Sequence, residues 1–116
     1  MPFEIKWATT AEDTFRELEI AADKAKQKRA TKRKTKSSKQ EGLFNQIVKT
    51  LQLLKNDPKH PGLCCHEYSG LDHPHNPREK AWEAYAQNKT LGAYRVFWCY
   101  GPGRGYLTII AIAPHP

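Results

Sequence analysis

The chain has 116 residues, 39% hydrophobic and 10% aromatic, enough for one modest core and too few for two. No apolar run approaches the ~18 residues that span a bilayer, and the opening MPFEIKWATT lacks a basic region followed by an apolar stretch, so neither a membrane span nor a secretion signal is expected. A formal net charge of +7 and three cysteines, an odd count with Cys64 and Cys65 adjacent, point to a cytoplasmic protein with reduced thiols and an anionic partner.

Residues 3 to 8 alternate, with Phe3, Ile5 and Trp7 on one side and Glu4 and Lys6 on the other, the pattern of a half-buried strand. Thr9 and Glu12 have the spacing of a capping box at a helix start. Phe15, Leu18, Ala22 and Ala25 follow at helical spacing. Strong helix formers continue until Gly42, so the spacing predicts a helix from about 11 to about 36, on the order of 39 Å long. Its second half lacks an apolar stripe and is expected to project as a basic extension at about 24–39.

That extension concentrates the charge. Lys24, Lys26, Lys28, Arg29, Lys32, Arg33, Lys34, Lys36 and Lys39 are nine basic residues with no acid among them, and the rest of the chain is slightly acidic. Like charges at i,i+4 repel, so such a block is poorly suited to an idle surface. It seeks a polyanion, because each neutralised phosphate releases counterions. A membrane surface fits less well, since the block has no leucine or aromatic face to insert.

Gly42 is expected to break the run. Phe44, Ile47, Val48, Leu51 and Leu54 then form a second amphipathic stripe, stopped by Asp57-Pro58. Residues 58 to 80 are rich in Pro, Gly and His, and only the part around His66 to Leu71 could be extended. Strands are predicted at 81–87 (AWEAYAQ), 93–100 (AYRVFWCY) and 106–113 (YLTIIAIA), with GPGRG as the last hairpin loop. The final strand is apolar on both faces, which suggests a central place. The expectation is one α+β domain over 1–116 in the order β-α-α-β-β-β. A helical hairpin covers one face of a small, mainly antiparallel four-stranded sheet. The other face is left as a shallow docking surface.

The segment GAYRVFWCYGPGRGYLTIIAIAPHP, residues 92 to 116, together with this element order and size, resembles the RelE/ParE superfamily of bacterial toxins. The resemblance implies a toxin of a type II toxin-antitoxin system, held inactive by a cognate antitoxin and monomeric when free. It further implies metal-independent, cofactor-free cleavage of messenger RNA in the ribosomal A site of the 30S subunit, with contacts to ribosomal RNA. A gyrase-poisoning branch shares the fold without the nuclease residues. On this reading Arg95 takes the family's Tyr-Arg position and His115 its C-terminal acid/base position. The remaining site residues come from the segment before the 93–100 strand, where His66, His73, His75, Arg78 and Lys80 are available and no spacing chooses among them. The long cationic arm and the His-rich loop depart from the family pattern.

RNA can be cut without a metal because its 2′-hydroxyl is a built-in nucleophile. The reaction needs a base for that hydroxyl, cations for the phosphate and an acid for the 5′-oxygen. Histidine suits both proton transfers, so His115, His73 and His75 are candidates. Arg95 suits the phosphate, through a planar fork that stays charged. Trp82, Tyr85 or Tyr94 could stack on a splayed base. Lys28, Arg29, Lys32, Arg33, Lys34, Lys36, Arg78 and Lys80 are the candidate backbone contacts. No zinc site is expected, because adjacent cysteines point apart and Cys-x₂₋₄-Cys spacing is absent. The alternative is a non-catalytic member of the same fold that binds nucleic acid or poisons gyrase.

Overall fold

The computed structural model describes residues 2–32, 38–87 and 92–114. Arg33, Lys34, Lys36 and His115 lie outside the described residues. The elements are β1 (Glu4–Trp7), α1 (Thr9–Thr31), α2 (Lys39–Asn56), a 3₁₀ turn (Pro61–Leu63), β2 (His66–Glu67), β3 (Trp82–Tyr85), β4 (Tyr94–Tyr100) and β5 (Tyr106–Pro114). The α+β order expected from sequence is present, with one more strand. The sheet is five-stranded in the order β1-β5-β4-β3-β2. β2 falls at the start of the part around His66 to Leu71 that could be extended, and at two residues it is too short to alternate. It exists by pairing His66 with Glu83 and Glu67 with Trp82. The sheet is mixed: β1 runs parallel to β5, and the other pairings are antiparallel. β5 lies inside the sheet between β1 and β4, as its two apolar faces suggested, and β4 is the midpoint.

β5 is apolar on both faces for a specific reason. Trp98 pairs with Ile109 and Phe97 with Ala111, so Ile110 is an extra residue at a bulge. The inserted residue resets the two-residue alternation. Leu107, Ile109 and Ile112 consequently all join the core under the helices, beside Val96 and Trp98 from β4. Ile47 and Leu54 of α2 close that core from above, each fully buried, and burial of such a side chain contributes roughly 1.5–3 kcal/mol.

Both helix starts differ from the sequence expectation. α1 begins after Ala8 with no side-chain cap, and Glu12 instead pairs with Arg16 at 2.8 Å. The capping box belongs to α2, where the Ser38 hydroxyl accepts from the Glu41 amide at 3.1 Å and the Glu41 carboxylate accepts from the Ser38 amide at 2.6 Å. Reciprocal capping outweighs the ~1 kcal/mol penalty of a helical glycine, so Gly42 sits inside the first turn of α2 rather than ending a helix. α1 stops at Thr31, short of residue 36. Its second half does not project alone, because Ala22 is buried and Arg29 pairs with Glu41 of α2 at 2.9 Å.

The face away from the helices is less open than expected. The connection between β2 and β3 folds across it, laying Tyr68 on Phe97 at 4.7 Å between ring centroids. His73 fastens this connection. Its Nδ1 accepts from the amides of His75 and Asn76 at 3.1 and 3.0 Å, which leaves Nε2 to donate to the Tyr100 carbonyl at 2.6 Å. His75 Nε2 meets Thr108 Oγ1 at 3.2 Å, and that hydroxyl donates to the Gly101 carbonyl at 2.9 Å. Gly101 has φ of 114°, a conformation that a side chain would strain.

Candidate active site

Register decides which side chains share the helix-free face. β3 sets Glu83 opposite Phe97 and Tyr85 opposite Arg95, and β2 sets His66 opposite Glu83. Alternation therefore gathers His66, Glu83, Tyr85 and Arg95 on one side. Trp82 and Tyr94 fall on the other side. Trp82 stacks on Trp98 at 6.1 Å, and Tyr94 packs against the core. Of the three stacking candidates, only Tyr85 accompanies Arg95.

Glu83 is the centre of the group and is 1% exposed. A carboxylate so buried requires charge compensation. His66 Nε2 supplies it at 2.7 Å from Oε1. Arg95 Nε lies 3.9 Å from the same oxygen, near enough for attraction and too far for a hydrogen bond. Arg95 Nη1 donates to the Ala93 carbonyl at 2.9 Å. The other nitrogen of His66, Nδ1, faces the Cys64 carbonyl at 3.3 Å. Both His66 nitrogens thus point at oxygen acceptors.

Two buried atoms of this cluster, Glu83 Oε2 and Arg95 Nε, have no hydrogen-bond partner among the described residues. Leaving such a group unmade costs about 1–3 kcal/mol, and buried orphans of this kind are candidates for ligand contact or catalysis. The site is also closed. Arg95 is 3% exposed, with the Tyr85 ring 3.9 Å from its guanidinium carbon. Tyr85 also packs on the His66 ring at 5.5 Å.

The remaining candidates are dispersed. His73 and His75 hold the β2–β3 connection against β4 and β5, away from Glu83. Arg78 is exposed, and Lys80 pairs with Glu67 at 2.7 Å. Lys28 and Lys32 are exposed at the end of α1 and line a shallow cleft of about 280 Å³ with Lys24, Gln27 and Thr31. Arg29 is engaged elsewhere. Its hydrogen bonds, with those of the Ser38 amide, hold Glu41 well below the usual carboxylate range, at about 2. Arg95 lies opposite Ala113 on β5, and His115 lies outside the described residues. Among the described residues no three His, Cys, Asp or Glu side chains are grouped to hold a metal ion, and no helix is long and apolar enough to cross a membrane.

Sequence reasoning missed Glu83. Its signal was present: a lone acid in AWEAYA, on the polar side of an otherwise apolar strand. His66 was one of several histidines, and only the β2 pairing separates it from the rest.

No protein-family model matches this sequence, and no curated protein matches it. Solved structures do match by fold. The chain is similar to the YoeB/ParE toxin from Agrobacterium tumefaciens, with a TM-score of 0.62 at 10% identity over 97% of this chain and 99% of that one. It is also similar to the archaeal RelE-RelB complex from Pyrococcus horikoshii OT3, with a TM-score of 0.57 at 11% identity over 98% of this chain and 96% of the other. Identity this low speaks for backbone architecture, and both likenesses run nearly end to end. The chain has the RelE/ParE toxin fold.

Proposed function

We propose that this protein is the toxin of a type II toxin-antitoxin system, a single cytoplasmic domain that cuts messenger RNA at the ribosome without a metal or other cofactor. The observation that carries the reading is the placement of Arg95 beside Glu83 and His66 on the helix-free face of a RelE/ParE fold. In the proposed reaction Arg95 binds the scissile phosphate and His115 transfers a proton. His115 follows two residues after Ala113, the cross-strand partner of Arg95. Phosphate reaches Arg95 when the Tyr85 ring swings aside, and a phosphate oxygen then gives the orphaned Nε its acceptor. Lys28 and Lys32, with Arg33, Lys34 and Lys36, contact ribosomal RNA backbone. The cognate antitoxin is a protein partner, a reading supported by the RelE-RelB complex among the structural relatives.

The test is inducible expression with mapping of transcript ends, wild type beside Arg95→Ala and His115→Ala. Growth arrest with discrete breaks in the wild type, and neither in the variants, is expected. Full toxicity in both variants overturns the nuclease reading. A second reading has an observation in its favour: Arg95 is almost sealed from solvent, as in a purely structural ion pair. A non-catalytic protein that docks on nucleic acid or gyrase would keep its toxicity in both variants and lose it when the cations of α1 are removed.

A further inference from the structure

We infer that His66 is the proton donor to the departing 5′-oxygen and that the buried carboxylate of Glu83 is the residue that positions it beside Arg95. This rests on the nuclease reading above and assigns two roles that reading leaves open.

Of the four histidines of the mid-chain segment, His60 caps the 3₁₀ turn, its Nδ1 accepting from the Gly62 amide at 2.9 Å, and contacts separate the other three. His73 is 6% exposed, and both its nitrogens are committed to backbone groups. His75 directs Nε2 to Thr108, toward the far end of the sheet face. His66 alone of the three touches the carboxylate that Arg95 approaches. Its side chain is 50% exposed, and Nδ1 is held only by a 3.3 Å contact to the Cys64 carbonyl. That nitrogen can exchange a weak local partner for a substrate oxygen at little cost.

Glu83 fixes the geometry. One oxygen, Oε1, takes His66 Nε2 at 2.7 Å and lies 3.9 Å from Arg95 Nε, so a single carboxylate oxygen holds the imidazole next to the guanidinium. Tyr85 packs against both, which keeps the imidazole and the guanidinium in register. The charges that face His66 are Glu83 from β3 and, through Glu83, Arg95 from β4. A carboxylate holding one imidazole nitrogen fixes the ring so that the other nitrogen does the chemistry.

The step balances without any further reactant. The 2′-oxygen attacks phosphorus and its proton passes to a base, the role proposed for His115. The bond from phosphorus to the 5′-oxygen breaks. The leaving oxygen takes the Nδ1 proton of His66, which becomes a neutral imidazole that keeps its Nε2 proton, hydrogen-bonded to Glu83. The products are a 2′,3′-cyclic phosphate and a 5′-hydroxyl.

The experiment is single-turnover cleavage of a short messenger programmed on purified ribosomes, using full-length wild type, His66→Ala, Glu83→Gln, the double variant and Arg95→Ala. His66→Ala is expected to cleave about 100-fold more slowly or worse, with the half-saturating ribosome concentration unchanged and with partial rescue by added imidazole. Glu83→Gln is expected to slow cleavage as well, yet to add almost nothing in the His66→Ala background, because it acts through that ring. Circular dichroism checks that each variant is folded, and His66→Ala removes a half-exposed ring, so it remains informative if Glu83→Gln does not fold. Wild-type cleavage by His66→Ala while Arg95→Ala is inactive overturns this inference and leaves the nuclease reading standing. Additive losses without imidazole rescue also overturn it. A wild type that cuts nothing overturns the nuclease reading and this inference with it.

Discussion

The Tyr85 ring lies over the Arg95 guanidinium, 3.9 Å from ring centroid to guanidinium carbon. The same ring packs on His66, so one side chain braces both the guanidinium and the imidazole. Replacing Tyr85 with Ala removes a partly desolvated cation–π contact worth about 0.5–2 kcal/mol. The expected outcome is a lower denaturant midpoint with an unchanged slope, together with an Arg95 side chain newly open to arginine-specific modification by a dicarbonyl reagent. Unchanged modification kinetics would show that the ring is no barrier.

Ile47 on α2 is fully buried in the core under the helices. Ile47→Ala is expected to destabilise the fold by about 2–5 kcal/mol, read as a shift in urea midpoint. An exposed position on the same helix, Lys49→Ala, is expected to move it by less than about 0.5 kcal/mol.

Acid should loosen the helical hairpin. The Glu41 carboxyl is held down from its ordinary 4.5 to about 2, chiefly by Arg29 and then by the Ser38 amide. A depressed carboxylate contributes stability that is complete above its unfolded value and is lost as pH falls through the folded one. The contribution of this pair is therefore expected to vanish between about pH 5 and pH 2. Thermal melts across that range should show a drop in the wild type that is smaller in Arg29→Ala.

The three thiols should differ in reactivity. Burial pushes Cys65 and Cys99 each up to about 11, so both are almost wholly protonated at pH 8, and the thiolate is the reactive form. Cys64 is exposed. Brief alkylation at pH 8 followed by mass spectrometry is expected to label Cys64 first, with Cys99 labelled only after unfolding. Equal labelling of all three in the folded state would contradict the burial described.

Much of this architecture was legible in the residues. The alternation in Phe3, Ile5 and Trp7, the stripe of Ile47, Leu51 and Leu54, and the aromatic run of β4 each report a periodicity that local sequence carries in full. What was not legible depends on partners distant in the chain. β2 is two residues defined wholly by Glu83 and Trp82. The bulge at Ile110 shows only once β4 is laid beside β5. The Thr9 and Glu12 pair matched the capping pattern no worse than Ser38 and Glu41, and Arg29, far from both in sequence, is bound to only one of them. In the candidate site, Arg95 was a candidate because its segment resembles the Tyr-Arg strand of the RelE/ParE toxins. Glu83 became a candidate, and His66 was separated from the other histidines, only when register placed them against it.

The parallel seam between β1 and β5 pairs Glu4 with Tyr106 and Trp7 with Ile109. The earliest strand to be synthesised thus waits for the last before its edge is satisfied. Contacts so far apart in sequence form late and slow folding. Until β5 has been made and has paired, β1 lacks its partner strand and Arg95 lacks its neighbour Ala113, so the sheet edge and the helix-free face are completed by the same event.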